Sequence, residues 1–387
     1  MNKIKKIFKL LFSSGRKKTI NQTNPVVFGE WFGKKCCDNC LFFANYLASI
    51  DSEFSLYWIL ENGCDDSRLS HSVTRVKKDS DEALALLKKA RYIIVNQGLI
   101  DVISDTSFFP KYSYLINFWH GVAWKKIGAD SLKSKFKAFY ARLAYKKDGT
   151  DFYLSPSMEF SGKLKSSFGV NKQKVIEAGY PRNCFFYDNE KIKELKKTII
   201  SKYSLESDCI FLSYLPTFRD KDQSIVSMEK VVESTDFLSF LEKNKIYILQ
   251  KMHFVREKGN LSVKSNSKRV INDFGLCAAE ILAVSDILIT DYSSCFFDYL
   301  VLNKPIIHFL YDYDYYRKDD RGLYYDINEV ACGKVCFNNF ELVESVKKYI
   351  NNPLLDKELR EKRRKKFMEF DTAQTNYNIY SFLKLLP

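Results

Sequence analysis

The chain has 387 residues, of which 46% are hydrophobic and 15% aromatic, and this length and composition predict two domains with buried cores. Its net charge of +14 favours an anionic partner, namely a phosphate-rich substrate, an anionic lipid or a nucleic acid. No zinc-finger, RNP-type or basic-zipper pattern occurs, so we expect no nucleic acid as a partner. No stretch reaches the roughly 18 to 20 apolar residues of a membrane span, and no cleavable signal is evident.

The first 24 residues are basic and carry a short apolar stripe. Ile4, Ile7, Phe8 and Leu11 recur at helical spacing, with lysines between them. This pattern is typical of an amphipathic helix on an anionic membrane surface, and a frayed basic terminus that binds nothing is the alternative. We therefore expect residues 1–24 to form a membrane-surface segment.

Strand-like and helix-like runs then alternate in two sets. The alternation predicts two Rossmann-like α/β domains, over 25–185 and 186–387, which face each other across a cleft as in the glycosyltransferase-B type of fold. The expected strands are 25–29, 55–60, 92–96, 114–119, 152–155, 209–214, 246–249, 269–271, 287–289 and 305–309. The expected helices are 38–50, 82–90, 133–147, 159–168, 190–203, 237–243, 277–284, 340–350 and 356–370.

Ten cysteines are spread along the chain, several of them beside apolar residues, which predicts reduced and mostly buried thiols in a cytosolic protein. Cys36, Cys37 and Cys40, and the pair Cys332 and Cys336, are close enough in sequence to suggest a metal site, but no histidine lies near either group. Buried thiols are the favoured interpretation. No acidic cluster resembles a divalent-metal site, so we expect no metal and no cofactor.

The segment 284–297 contains the most informative local pattern. A short apolar run ends abruptly at Thr290 and Asp291, and Ser293 and Ser294 follow as good N-cap residues for a helix. Hydroxyl and N–H groups at a helix N-terminus, beyond the carboxyl end of a parallel strand, form an anion site. This favours a phosphate of a nucleotide-linked substrate, and helix capping without a ligand is the alternative.

Other chemically versatile side chains also follow predicted strands directly. His120 lies where the strand over 114–119 ends and is a candidate general base, with a packed imidazole between tryptophans as the alternative. His253 follows a strand of the second domain in the same way. Thr217 and Arg219 follow another, and because an arginine offers a bidentate fork to phosphate oxygens they are phosphate-binding candidates; an ordinary polar turn is the alternative.

Six segments taken in order are far more specific than any one of them. They are Trp-His-Gly at 119–121, Gly-Tyr-Pro-Arg-Asn at 179–183, Pro-Thr-Phe-Arg at 216–219, Lys-Met-His at 251–253, Thr-Asp-Tyr-Ser-Ser at 290–294 and Asp-Arg-Gly-Leu-Tyr-Tyr-Asp at 320–326. Their order resembles the CDP-glycerol glycerophosphotransferase family of teichoic-acid and capsule synthesis, over about residues 25 to 350. Gly33 with Asp38 and Asn39 also resembles the opening motif of that family.

The resemblance implies a peripheral enzyme on the cytoplasmic face of the cell membrane, with a glycosyltransferase-B fold. It implies transfer of glycerol phosphate from CDP-glycerol to a hydroxyl group of a lipid-linked or polymeric acceptor, with release of CMP. The catalytic residues that it implies are His120 and His253. The implied donor-binding residues are Thr217, Arg219, Lys251, Thr290, Asp291, Ser293, Ser294 and Arg321. The implied acceptor-side residues are Trp119, Gly121, Lys125 and Arg182.

Two departures from the family pattern bear on the substrate. Met252 stands where the family has the proline of a Lys-Pro-His segment, and residues 370–376 lack the Gly and Arg that the family has near its C-terminus. The second departure weakens the choice of glycerol, so CDP-ribitol is an alternative donor. A nucleotide-sugar glycosyltransferase of the same fold and a non-catalytic module that binds an anionic polymer are the other interpretations.

Overall fold

The computed structural model describes residues 24–105, 107–145, 149–217, 226–251, 268–272, 275–314 and 322–387. The chain divides into two compact units. Unit 1 comprises the residues up to His120 together with Ile127–Cys184 and Glu369–Pro387, and unit 2 comprises Gly121–Lys126 and Phe185–Met368.

The described residues of unit 1 form a parallel sheet with the order β3-β2-β1-β4-β5-β6-β7. Its central strands are continuous apolar runs that are buried on both faces, as parallel strands covered by helices must be. The strands are β1 Pro25–Gly29, β2 Ser55–Leu60, β3 Thr74–Lys77, β4 Tyr92–Val95, β5 Tyr114–Asn117, β6 Thr150–Ser155 and β7 Val175–Glu177. The helices are α1 Asn39–Ser49, α2 Asp81–Lys89, α3 Lys135–Tyr145 and α4 Met158–Phe168, and α13 Thr375–Leu385 completes the unit from the end of the chain.

Unit 2 contains a second parallel sheet, with the order β10-β9-β8-β11-β12-β13 in the described residues. The strands are β8 Ile210–Leu215, β9 Ile246–Gln250, β10 Val270–Asn272, β11 Ile287–Thr290, β12 Ile306–Phe309 and β13 Lys334–Cys336. The helices are α5 Asn189–Tyr203, α6 Met228–Val232, α7 Thr235–Lys243, α8 Ala278–Val284, α9 Cys295–Tyr299, α10 Ile327–Val330, α11 Asn339–Asn351 and α12 Lys357–Phe367. The predicted α/β class with two Rossmann-like sheets is confirmed.

Both sheets reverse their strand order once, and this position matters for function. The reversal lies between β1 and β4 in unit 1 and between β8 and β11 in unit 2. Open α/β sheets bind ligands beyond the carboxyl ends of the strands at such a switch point. The residues that follow these four strands are therefore the first place to look for a site in each unit.

The unit boundaries differ from the predicted domains in two places. Residues 121–126, expected in the N-terminal domain, pack in unit 2, and residues 369–387, expected in the C-terminal domain, pack in unit 1. In the second case the Tyr92 hydroxyl donates to the Leu383 carbonyl at 2.6 Å, so the last helix lies against β4. Such contacts between residues far apart in sequence leave no local pattern.

Several short elements were not predicted. The strands β3 and β13 lie at sheet edges and β7 is three residues long, so their apolar periodicity is too short to recognise. Conversely, β5 ends at Asn117, two residues before the predicted end. The predicted helix in residues 1–24 lies almost wholly outside the described residues, of which only residue 24 belongs to that segment. No helix among the described residues is long and apolar enough to cross a bilayer.

Candidate active site

In unit 1, a strained turn carries His120. The Asn117 side chain, at the end of β5, accepts the Trp119 backbone N–H at 2.9 Å. Trp119 has a φ of 56° and Gly121 a φ of 140°, so positive φ values flank the histidine on both sides. A left-handed tryptophan costs of order 1–2 kcal/mol and persists only where its surroundings hold it, which is a feature of functional sites.

The His120 imidazole is half-buried between two indole rings. The ring centroids lie 4.4 Å from Trp119 and 5.7 Å from Trp31. Its Nδ1 atom is buried and makes no hydrogen bond of normal geometry to the described residues. Burial lowers the pKa of His120 to about 4, although Asp38 raises it, and Arg182 adds to the lowering. The imidazole is therefore neutral near neutral pH, as a general base must be.

A buried ion pair lies beside this turn. The Arg182 guanidinium donates through Nη1 to the Asp38 carboxylate, and the same nitrogen donates to the His120 carbonyl at 3.3 Å. The Asn39 side-chain amide donates to the Trp119 carbonyl at 2.9 Å. The structure thus brings the predicted acceptor-side residues Trp119 and Arg182 together with His120.

A second layer of acidic residues fixes the loop after β1. Phe32 has a φ of 64° and its N–H donates to Asp101 at 2.7 Å, while the Lys78 ammonium donates to the Phe32 carbonyl at 2.9 Å. Burial raises the pKa of Asp101 to about 6 and raises that of Glu30, whose carboxyl accepts the Cys37 and Asp38 N–H groups. Sequence reasoning missed both acids, although Glu30 directly follows a predicted strand.

The segment that carries Arg182 is held by the end of the chain. Asp371 accepts the Tyr180 N–H at 3.1 Å and the Asn183 side-chain amide at 2.8 Å. Gly179 has a φ of 84°, and a Cβ atom there would lie 2.8 Å from the Asp371 Cα atom. Residues 370–376, which lack the Gly and Arg of the family pattern, therefore hold the segment of Arg182 in unit 1.

In unit 2, Asp291 joins the two loops at the switch point. Its carboxylate accepts the Thr217 N–H at 2.8 and 2.9 Å, the Thr217 hydroxyl at 2.7 Å and the Ser293 N–H at 3.2 Å. Asp291 is fully buried. A carboxylate so placed fixes the shape of the two loops, and its negative charge makes it unsuited to contact an anion directly.

The remaining residues of the 290–294 loop divide into buried and exposed. The Thr290 hydroxyl is buried and donates to the Leu215 carbonyl at 2.9 Å, so it ties β11 to β8. Ser293 and Ser294 are partly exposed. Contrary to the sequence prediction, the Ser294 side chain does not cap α9, and this helix has only five residues. Because the helix is so short, its dipole is weak. The hydroxyls of these two serines would therefore contribute more than the dipole to binding an anion at this loop.

The other donor-side candidates are only partly described. Lys251 directly follows β9, and its ammonium donates to the Leu276 carbonyl at 2.5 Å. Its backbone N–H donates to the Tyr214 carbonyl of β8 at 3.1 Å. Lys251 is thus placed at the carboxyl edge of the sheet. His253, Arg219 and Arg321 lie outside the described residues.

The segment after His120 belongs to unit 2, which sequence reasoning did not predict. Trp124 is buried, its indole N–H donates to the Tyr325 carbonyl at 3.0 Å, and its ring lies 5.6 Å from that of Tyr292 in the 290–294 loop. Lys125 forms an antiparallel bridge with Leu323. Gly121 and Lys125, predicted to be acceptor-side residues of the first domain, therefore pack in unit 2, because the large apolar Trp124 anchors their segment there.

No group of three or more His, Cys, Asp or Glu side chains in the described part of the chain is arranged to hold a metal ion. Cys36, Cys40, Cys332 and Cys336, which had suggested a metal site, are buried thiols. His308 is also buried, and its Nε2 accepts the Cys332 N–H at 3.1 Å.

The chain is similar to known proteins along most of its length. A family profile described as CDP-glycerol:poly(glycerophosphate) glycerophosphotransferase matches residues 11–385. The teichoic acid poly(glycerol phosphate) polymerase of Bacillus spizizenii is 27% identical over 339 residues, which cover 84% of this chain and 84% of that protein. The teichoic acid glycerol-phosphate transferase of Staphylococcus aureus is 26% identical over 331 residues, which cover 84% and 83%. The solved structure of the wall teichoic acid polymerase TagF has the same fold, with a TM-score of 0.78 and 23% identity over 93% of this chain and 88% of that one.

Proposed function

Because the chain belongs to the CDP-glycerol:poly(glycerophosphate) glycerophosphotransferase family, we propose that it is a transferase that moves glycerol phosphate from CDP-glycerol to an acceptor hydroxyl and releases CMP. The acceptor is a lipid-linked or polymeric chain of the teichoic-acid type. The two relatives named above are, by their names, a poly(glycerol phosphate) polymerase and a glycerol-phosphate transferase. The observation that carries the proposal is the neutral His120 in its strained turn at the carboxyl end of β5.

In the proposed reaction, the acceptor oxygen attacks the phosphorus atom that carries glycerol, and the acceptor proton passes to an imidazole nitrogen of His120. The bond from this phosphorus to the bridging oxygen breaks, and CMP leaves with the bonding electrons. A pKa of about 4 keeps His120 free of a proton beforehand. The imidazolium that forms is stabilised by the Asp38 charge and by the face of the Trp119 ring.

The donor pyrophosphate is assigned to unit 2. Ser293 and Ser294 supply partly exposed hydroxyls at the switch point, and Lys251 supplies a cation at the same edge of the sheet. The resemblance adds Arg219, His253 and Arg321 as further cationic groups. Fixed cations and hydroxyls offset the charge that grows on the leaving phosphate, so we propose that the transfer needs no divalent metal.

Release of CMP tests the proposal. Purified protein is incubated with a lipid-linked acceptor and with CDP-glycerol, CDP-ribitol or a panel of nucleotide-sugars, and EDTA is added in a parallel series. We expect CMP from CDP-glycerol, insensitivity to EDTA, and a loss of at least 100-fold in kcat for His120→Ala. His71→Ala is the matched control, because His71 is exposed.

Each other outcome contradicts a defined part of the proposal. Turnover of CDP-ribitol alone would change the alditol, and turnover of a nucleotide-sugar would change the reaction class. Polymer binding without CMP from any donor, with an acceptor that a homologous transferase extends, would favour a non-catalytic module. Loss of activity in EDTA that magnesium restores would overturn metal independence.

We propose that the enzyme works at the cytoplasmic face of the membrane, and an outward-facing apolar stripe at α3 supports the membrane contact itself. An amphipathic helix normally buries its apolar face, but in α3 the buried residue is Ala138, and Arg142 on the inner side donates to Asp130 at 2.8 Å. Lys133, Lys135 and Lys137 are exposed beside the stripe. The stripe consists of Leu132, just before the helix, and of Phe136, Phe139, Tyr140 and Leu143 within it, which are 40%, 69%, 57%, 54% and 39% exposed.

Exposed aromatic rings flanked by lysines match the interface of an anionic bilayer, where the rings enter the headgroup region and the lysines contact lipid phosphates. We assign an anionic membrane surface as the partner of α3. The basic segment 1–24, the first candidate for this contact, lies almost wholly outside the described residues.

A further inference from the structure

Three segments next to His120 are bonded directly to one buried carboxylate, that of Asp38. Asp38 is 6% exposed and lies at the N-terminus of α1. Its oxygens accept the Arg182 guanidinium, the Trp31 indole N–H at 3.1 Å and the Asn39 backbone N–H at 2.8 Å. Each of these three partners also contacts His120 or its neighbour Trp119.

The three routes from Asp38 to the histidine are independent of one another. Arg182 donates to the His120 carbonyl at 3.3 Å. Asn39, whose backbone is bonded to Asp38, donates through its side chain to the Trp119 carbonyl at 2.9 Å. Trp31 places its ring centroid 5.7 Å from that of His120. The positions of the Trp119 and His120 carbonyls and of the Trp31 ring beside the imidazole therefore all depend on Asp38.

The imidazole needs such external support. A catalytic histidine is usually oriented by a hydrogen bond to the nitrogen that does not react. In His120 the buried Nδ1 makes no hydrogen bond of normal geometry among the described residues. Besides the Asn96 backbone, whose interaction with the imidazole raises the pKa of His120, the bonds to the Trp119 and His120 carbonyls and the two indole rings fix its orientation. Trp31 itself has a φ of 50° that the bond to Asp38 helps to maintain.

We propose that Asp38 is the positioning residue for His120, and that it holds the imidazole in its reactive orientation through Arg182, Asn39 and Trp31. Asp38 does not bond to the imidazole itself. The inference rests on the proposed function, in which His120 receives the acceptor proton. The alternative is that Asp38 and Arg182 form a buried ion pair that stabilises unit 1 and has no effect on the orientation of the histidine.

The charged groups around the imidazole come from several elements. Asp38 raises the pKa of His120 and Arg182 lowers it, while the Asn96 backbone, after β4, raises it. Glu30 and Asp101 lie one layer further out, bonded to backbone N–H groups of the loops after β1 and β4. Loss of the Asp38 charge leaves Arg182 unopposed, so the histidine stays neutral before the reaction. A loss of rate then contains the lost stabilisation of the imidazolium as well as any change in orientation, so the His120 resonance is read beside kcat.

The test is Asp38→Asn, assayed by kinetics and by NMR of histidines labelled at 13Cε1. There are four histidines, so the His120 signal is assigned by its absence in His120→Gln. We expect kcat to fall about 10- to 100-fold, as for a reacting group displaced by about 1 Å, with the Kd for CDP-glycerol within about twofold of wild type. The His120 resonance should move at neutral pH.

Asp66→Asn is the matched control. It removes a carboxylate of the same unit that bonds to Arg75 at 2.7 Å, and it should change neither kcat nor the His120 resonance. A folded Asp38→Asn protein with wild-type kcat and an unmoved His120 resonance would overturn the proposal. So would a lower melting temperature with an unmoved resonance, because that is the result of a purely stabilising ion pair.

If Asp38→Asn does not fold, Trp31→Phe tests the proposal in its place. It keeps a ring beside His120 but cannot bond to Asp38, so the His120 resonance should move with a smaller loss of kcat; an unmoved resonance would contradict the proposal. The NMR comparison also separates this inference from the proposed function. If His120→Gln retained full activity, His120 would not be the base, yet the resonance would still show whether Asp38 orients it.

Discussion

At the scale of single residues, the two sites use carboxylates in the same way. Asp38 in unit 1 and Asp291 in unit 2 are both buried, and both accept N–H groups from neighbouring loops instead of facing solvent. A buried carboxylate that accepts several hydrogen bonds rigidifies the segments it joins. The resemblance places Asp291 among the donor-binding residues, and the geometry gives it a supporting role behind Thr217 and Ser293.

Asp291→Asn should weaken donor binding. In the wild type, the backbone N–H and the hydroxyl of Thr217 both donate to the Asp291 carboxylate. The amide of the variant has only one oxygen, so its NH2 group takes the place of an acceptor there. Loss of one hydrogen bond to a charged group costs about 1.5–3 kcal/mol, which corresponds to a rise in the Kd for CDP-glycerol of roughly 10- to 100-fold. Calorimetric titration of the protein with CDP-glycerol measures this change.

The control is Asp286→Asn at the other end of the same strand. Asp286 also accepts a backbone N–H, that of Phe211 at 2.9 Å, but it precedes β11 and so lies away from the switch point. Equal losses of affinity in the two variants would show that Asp291 affects only the stability of the sheet.

At the scale of elements, α3 shows that the direction in which a helix turns its apolar face is set by tertiary packing. Its sequence predicts a helix, and residues 135–145 form one. The tertiary structure leaves its aromatic stripe exposed, because α4 and the Gly128–Ser131 turn contact the opposite side. A stripe of this kind on a basic protein predicts a membrane contact.

Replacement of Phe136, Phe139 and Tyr140 by serine should reduce binding to vesicles of phosphatidylglycerol and phosphatidylcholine at least tenfold, measured by flotation. All three rings are more than half exposed, so we expect the fold to tolerate the change. Phe340→Ser is the control. Phe340 is a 75% exposed ring in unit 2, and it does not belong to the stripe at α3. Unchanged binding of the triple variant, or an equal loss in the control, would refute the contact.

At the scale of the whole molecule, buried titratable groups make stability depend on pH. Burial lowers the pKa of His120 to about 4 and that of His308 to about 3. Between pH 6.5 and these values the unfolded chain binds protons that the folded protein does not, so each histidine reduces stability as the pH falls. Asp101 has the opposite effect, because its raised pKa of about 6 lets the folded protein bind a proton first.

A His308→Gln variant isolates one histidine from these opposing effects. At pH 7 it should melt below wild type, because it disturbs a buried site that bonds to the Cys332 N–H. Toward pH 5 the difference in melting temperature between the two proteins should narrow. The reason is that the wild type alone loses up to about 1.4 kcal/mol of folding free energy per pH unit through His308. Melting curves at pH 7, 6 and 5 measure this change, and a difference that stays constant would mean that folding does not lower the pKa of His308.

Local patterns predicted most of the elements and several of the site residues. The apolar runs of β1, β4, β8 and β11 are long enough to recognise. Thr290 ends a strand, and His120 and Thr217 lie in the short turns that follow β5 and β8. The Glu30 and Asp101 layer was not predicted, because its importance comes from burial beside Asp38, which no spacing along the chain reveals. The roles of His253, Arg219 and Arg321 stay predictions, since these residues lie outside the described part of the chain.

The α/β class, the two sheets and the family can be recognised from the amino-acid sequence, because strand periodicity and short motifs are local and need no knowledge of packing. Three features became visible only in the folded chain: Trp124 anchors residues 121–126 in unit 2, Asp371 holds the Arg182 segment in unit 1, and the aromatic stripe of α3 faces outward. Each of these features depends on contacts between residues far apart in the chain. Their free energy comes from burial and hydrogen bonds that exist only once the sheets have formed.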